Sequence, residues 1–165
     1  MHSGEIERRV NAFVKLGKFL YSIVHDKNEQ EKFNYVFEKA EQCNAWFTKD
    51  NLLFSFDAIA QMLKPESINI WLNNYPELKN KSNKKRIAAI MAGNIPLVGF
   101  HDLLCILISG DYLICKSSSK DKYLPEFLIE KLIEFDNYFS DKVIFTESII
   151  KDFDAVIATG SNNSS

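Results

Sequence analysis

The sequence predicts an α/β fold, an N-terminal helical region followed by a parallel βαβαβ sheet. Up to about residue 79, apolar side chains recur three or four positions apart, the spacing of a helix face. From Ile87 the pattern changes to short apolar runs of strand length that alternate with helical stretches. Successive strands are joined by helix-length segments rather than tight turns, and such crossovers make neighbouring strands parallel.

The first helix is expected over Glu5–Val24, with Val10, Phe13, Val14, Leu16, Phe19, Leu20 and Ile23 near helical spacing. Asp26-Lys27-Asn28 breaks it. A second, about Glu29–Trp46, carries Phe33, Val36, Phe37, Ala40 and Cys43 on one stripe. Asp50 reads as the cap of a third, in which Leu53, Phe54, Phe56, Ala60 and Leu63 are apolar and which ends before Pro65. Pro65-Glu66-Ser67 opens a short helix to about Asn73, because proline suits a first helical turn. The polar stretch Asn80–Arg86 reads as a solvated linker in preference to a phosphate-binding patch. The division that follows is a helical region, 1–79, and a partial dinucleotide-binding α/β domain, 80–165.

In the second part, a strand Ile87–Met91 leads into the turn Gly93-Asn94-Ile95-Pro96 and an apolar helix, Leu97–Ser109. After a break at Gly110, a strand Tyr112–Lys116 opens into Ser117-Ser118-Ser119. Helix Tyr123–Tyr138, strand Val143–Thr146, a helical turn near Glu147–Ile150 and strand Ala155–Ala158 complete the reading. The sequence stops shortly after that strand, where a parallel sheet normally continues into a covering helix. A fragment of a longer protein is therefore expected.

At 165 residues the chain can bury a substantial core, with one domain the expectation. Hydrophobic residues at 46% and charged residues at 25% are ordinary for a soluble globular protein. A net charge of −2 gives no electrostatic case for nucleic acid or a membrane surface. No apolar run approaches the roughly 20 residues of a membrane span, and the N-terminus has no signal-peptide pattern. Three cysteines without zinc-type spacing argue against a metal site and a disulfide framework, and for a reducing, cytoplasmic setting. Thirteen Phe, six Tyr and two Trp are many for this length, so part of the surface is expected to be covered by something outside the chain.

Ligands of open parallel sheets bind beyond the carboxyl ends of the strands, and the polar groups of this segment gather there. Asn94 follows the first strand; Lys116 and three serines follow the second. On the residues alone, Asn94 is either turn chemistry between Gly93 and Pro96 or a side-chain amide aimed at a developing alkoxide. Lys116 is either the first exposed position of its strand or a cation for a nucleotide's ribose or phosphate. The run Ser117–Asp121 also reads as a helix cap with Asp121 in the first turn. Cys43, Cys105 and Cys115 read as small buried hydrophobes, with Cys115 and Lys116 on opposite strand faces. His101 and Asp102 do not face each other on a helix, so they read as lining the site's mouth or touching a neighbouring element. His2 and His25 show no partner. No GxGxxG or Walker A pattern occurs.

Gly93-Asn94-Ile95-Pro96, then Cys115-Lys116-Ser117-Ser118-Ser119-Lys120-Asp121, then Ala158-Thr159-Gly160-Ser161 occur in the order and placement of three motifs of the aldehyde dehydrogenase superfamily. Over Ile87–Ser161 the chain resembles the acyl-CoA reductases related to the fatty acid reductase of bacterial luminescence. The resemblance implies Asn94 as oxyanion donor, and Lys116, Ser118 and Ser119 at the adenosine ribose. It also implies Gly160 and Ser161 at the cofactor phosphates. Many relatives that use NAD carry a glutamate where Ser119 stands. Without it a 2′-phosphate meets no repulsion, and Lys116 and Lys120 supply positive charge, so NADPH is the expected cofactor. The implied reaction is reduction of a fatty acyl-CoA thioester to the aldehyde through an acyl-cysteine. The nucleophile is expected beyond Ser165, so the chain alone should be inactive. An acyl phosphate donor, or a non-catalytic nucleotide- or partner-binding module, stays open. Expected partners are the acyl-CoA substrate and a second copy or an acyl-transfer or ligase protein.

Overall fold

Residues 3–159 are described in a computed structural model. Helix α1 (Ser3–His25) buries Ile6, Phe13, Leu16, Leu20 and Ile23 along one stripe and packs against α4 (Lys49–Met62). The second predicted helix is two: α2 (Lys27–Lys32) and α3 (Asn34–Cys43). The Asp26 carboxylate caps α2 by accepting the Asn28 and Glu29 amides. The backbone breaks at Phe33 (φ −102°, ψ 14°), which sets its ring edge-on to Phe19 at 5.0 Å and near Phe127. Val36, Phe37 and Ala40 of α3 still turn one buried stripe to the core. Cys43, at the last position of α3, projects past the packed end and is exposed, contrary to expectation.

The N-cap of α4 is Thr48, whose hydroxyl accepts the Asn51 amide, and Asp50 lies within the first turn. Pro65 opens α5 (Pro65–Leu72) as expected. A 3₁₀ turn over Pro76–Asn80 and extended backbone then lead to the sheet.

Strands β1 (Arg86–Ile90), β2 (Tyr112–Lys116), β3 (Val143–Phe145) and β4 (Ala155–Ala158) form one wholly parallel sheet in the order β3-β2-β1-β4. The chain steps outward from β1 to β3, then returns past β1 to add β4 on its other side. The β1/β4 boundary is therefore the topological switch point, where such sheets hold ligands. Helix α6 (Phe100–Ile108) follows β1, and α7 (Tyr123–Phe135) follows β2. Repeated right-handed crossovers in one direction place both on the same face. On that face Ala89, Met91, Leu113 and Cys115 join a core continuous with the N-terminal helices. Six of the nine residues of α6 are buried because sheet and α1 enclose it. On the opposite face Ile144 and Val156 stay 53% and 51% exposed.

Two expectations fail for local reasons. Leu97 has φ 58°, a left-handed conformation that cannot continue a helix, so α6 starts at Phe100 and not Leu97. The stretch 147–150 is not helical: Ile149 is 82% exposed and has no face to pack, and Asp152 is again left-handed (φ 58°). At the far end of α6, Gly110 turns with φ 86°, and buried Arg9 donates from Nε to the Ile108 carbonyl at 2.8 Å. The guanidinium thereby satisfies one of the carbonyls a helix leaves unpaired at its end. Arg8 grips Asp136 with a two-point ion pair, holding that carboxyl below its ordinary range.

A candidate cofactor crevice at the carboxyl ends of the strands

Each strand end is fastened to its neighbour. The Met91 amide donates to Lys116 O at 3.0 Å, Thr146 to Cys115 O at 2.9 Å, and Thr159 to Ile90 O at 2.9 Å. These bonds bring the Asn94 turn, the Lys116 loop and the start of the Thr159 turn onto one edge. Gly160 and Ser161 lie outside the described residues.

The Asn94 turn is held from three sides. Asn44, between α3 and α4, donates its Nδ2 to the Gly93 carbonyl at 3.2 Å. Gly93 itself is needed for contact: a Cβ there would stand 2.5 Å from Ser118 Oγ and 3.1 Å from the Asp121 amide nitrogen. On the far side of Pro96, the left-handed Leu97 donates its amide to Asp121 Oδ2 at 2.7 Å. Asn94 and Ile95 project from this clamped backbone into solvent.

In the second loop, Lys116 is half-buried at the end of β2 and Ser119 and Lys120 are exposed. Ser118 is turned inward against Gly93, and its hydroxyl accepts the Lys120 amide at 3.2 Å. Asp121 is not in the first turn of α7; it is 3% exposed and points toward the Asn94 turn. Burial pushes its carboxyl up to about 6, against the Leu97 hydrogen bond, and its Oδ1 is buried without a partner among the described residues.

Asp102 in the first turn of α6 accepts from Thr159 Oγ1 at 2.7 Å, so it touches a neighbouring element as expected. The His101 ring lies tilted against Trp71, centroids 6.0 Å apart, and 3.7 Å from Cys105 Sγ. Desolvation raises Cys105, and burial pushes Cys115 up to about 11, with its sulfur 3.6 Å from Met91 Sδ. His25, without a visible partner in the sequence, meets Asp57 at 3.1 Å. Between the ends of β2 and β3, Cys115, Ser117, Glu126, Phe145 and Thr146 line a cleft of ≈ 140 Å³ also flanked by the Lys122–Glu147 ion pair.

The sequence reading missed Asn44 and misread Asp121. Asn44 contacts a residue far along the chain, and nothing local marks it. A lone acid in a Ser/Lys run was a signal for Asp121, but its burial was not. Among the described residues no group of three or more His, Cys, Asp or Glu could hold a metal ion, and no helix is long and apolar enough to cross a membrane.

A family model described as acyl-CoA reductase (LuxC) matches residues 10–165. No curated protein and no solved structure matches the chain.

Proposed function

The chain belongs to the acyl-CoA reductase (LuxC) family, and from that premise we propose that it is the cofactor-binding portion of an NADPH-dependent enzyme reducing a fatty acyl-CoA thioester to the aldehyde. The observation that carries this reading is the convergence of the Asn94 turn, the Lys116 strand end and Thr159 on one carboxyl edge of a parallel sheet.

NADPH, when bound, supplies the hydride. The donor set fits a phosphorylated ribose: Lys116 at a strand end, Lys120 exposed beside it, and a hydroxyl rather than a carboxylate at Ser119. Ser118 supports this loop against Gly93, and Gly160 and Ser161 are assigned to the cofactor phosphates. The Asn94 amide donates to the oxygen that gains charge as the thioester carbon is reduced. One such preorganised donor contributes roughly 3 kcal/mol to lowering a barrier.

The acyl group is assigned to a cysteine outside these 165 residues. Cys115 is buried with its thiol pushed up to about 11, and Cys105 is raised by desolvation, so neither offers a thiolate near neutral pH. Cys43 is the exposed thiol of the three. The chain alone is therefore expected not to oxidise NADPH with acyl-CoA, and acyl-CoA-dependent oxidation by it would count against this assignment. Cys43→Ser is the control.

The test of the cofactor reading is a fluorescence titration of the chain with NADPH and NADH. NADPH should bind more tightly, and Lys116→Ala should weaken it about tenfold, the loss of one charge-assisted hydrogen bond. NADH binding at least as tightly would refute the choice of cofactor. Binding of neither would favour a partner-binding module, for which Trp46 and Phe54, 80% and 78% exposed, offer a surface.

A further inference from the structure

Asn94 stands at the tip of its turn, exposed, so its aim is set by the backbone anchors on either side. The upstream anchor is the Gly93 carbonyl, held by Asn44. The downstream anchor is Leu97, a non-glycine residue held left-handed at φ 58°. A side chain at that φ is disfavoured unless its surroundings impose it, and such residues cluster where a site needs a fixed geometry. The Leu97 side chain is buried in the core and its carbonyl accepts the Phe100 amide at 2.9 Å, but the bond that reaches it from the neighbouring loop is its own amide to Asp121 Oδ2 at 2.7 Å. Between the two anchors lie only Asn94, Ile95 and Pro96, and the proline ring locks one of the intervening torsions.

Asp121 is an expensive way to hold one amide. It is 3% exposed, and among the described residues its other oxygen is buried without a partner and no cation pairs with it. A backbone carbonyl would accept the same hydrogen bond without burying an acid. The acid comes from the loop that also carries Lys116 and Ser119, and this loop lies directly against Gly93. The loop assigned to the cofactor ribose and the turn assigned to the oxyanion are thus joined by one side chain.

We propose that Asp121 is a positioning residue that aims the Asn94 amide by holding Leu97 in its left-handed conformation. The inference rests on the reading of Asn94 as the oxyanion donor and adds the residue through which the Lys116–Asp121 loop acts on it. Asp121 does not touch substrate or cofactor; it works through the turn.

The experiment is a double-mutant cycle on acyl-CoA reduction by the intact enzyme, using Asn94→Ala, Asp121→Ala, the pair, and Asp121→Asn. Asn94→Ala should lower kcat by about 100-fold, as for loss of an oxyanion donor. Asp121→Ala should lower kcat by roughly tenfold at unchanged KM for NADPH, because misaiming a donor forfeits part of what deleting it forfeits. The double variant should be no slower than Asn94→Ala alone. Asp121→Asn keeps an acceptor oxygen for Leu97 and should recover most of the rate.

Slow Asn94→Ala with unaffected Asp121→Ala, or losses that multiply in the double variant, would overturn the positioning role alone. An unaffected Asn94→Ala would overturn the oxyanion reading and, with it, the catalytic part of the inference. Amide exchange in the 165-residue chain gives a readout that does not need turnover. Asp121→Ala should expose the Leu97 amide while β2 amides stay protected, and an unchanged Leu97 would refute the anchor.

Discussion

Thr159 Oγ1 donates to Asp102 Oδ2 at 2.7 Å, fastening the end of β4 to the first turn of α6. The bond crosses the switch point of the sheet, between the strand added last and the helix that follows the Asn94 turn. The bond matters to β4 because all four of its residues are exposed and, among the described residues, only β1 pairs with it. Asp102→Ala should cost roughly 1.5–3 kcal/mol, the range for a hydrogen bond to a charged group, and should speed amide exchange at Val156–Ala158 more than in β2. Exchange that accelerates equally in both strands would show that β4 is not held locally.

Asp121 makes stability fall with rising pH over part of the acid range. Its folded value of about 6 lies above the ordinary 3.8, so between them the folded state binds the proton that the unfolded state has lost. The stabilisation is complete below about pH 4 and is lost as pH rises through about 6, by up to roughly 3 kcal/mol. Asp136, Asp57 and Asp141 are shifted the other way by Arg8, His25 and Lys142 and lose stability only as pH falls through the usual carboxylate range. In Asp121→Asn, urea midpoints measured from pH 4 to 7 should no longer decline across that window.

Gly93→Ala tests whether the two loops are in contact. Its Cβ would meet Ser118 Oγ at 2.5 Å and Ser118 Cβ at 2.6 Å, distances that force one loop to move. The expected cost is roughly 1–3 kcal/mol, as for overpacking, and adding Ser118→Gly should restore part of it. Absence of rescue in the double variant would place the strain elsewhere.

Much of this architecture was legible because apolar periodicity and crossover length are local signals. β2 and β4 fall on Tyr112–Lys116 and Ala155–Ala158 as read, and Pro65 opens its helix. The break at Phe33, whose ring meets Phe19 and Phe127, was not legible, since no glycine or proline marks it. The late start of α6 was hidden too, because Leu97 is an ordinary helix former that Asp121 holds left-handed. At the site, Asn94 and Lys116 were visible through their placement at strand ends. Asn44 and the inward turn of Asp121 depend on contacts between distant segments, which no local pattern encodes.

The aromatic seam under α1 should be among the most sensitive parts of the core. Phe13 and Phe139 are fully buried and meet edge-to-face, with centroids 5.7 Å apart. Phe13→Ala should cost roughly 3–5 kcal/mol in a denaturation experiment. Phe13→Leu keeps most of the volume and should cost markedly less, and equal losses would mean that ring geometry, not volume, holds the seam.

Asn44 links the helical region to the Asn94 turn through a side-chain amide used at both ends. Its Oδ1 accepts the Trp46 amide at 3.1 Å, which leaves Nδ2 as the donor to Gly93 O at 3.2 Å. Asn44→Ala removes both bonds and should cost about 1–2 kcal/mol. Asn44→Asp keeps the acceptor for Trp46 but sets a carboxylate oxygen against the Gly93 carbonyl, with no hydrogen between two acceptors. It should therefore be worse than Asn44→Ala near neutral pH, although it is the smaller change in shape. The deficit should reverse with acid: once the new carboxyl is protonated, below about pH 4, its O–H can donate to Gly93 O. Denaturation midpoints of the two variants should cross as pH falls. Parallel curves would mean that Asn44 fills space at the turn without donating to it.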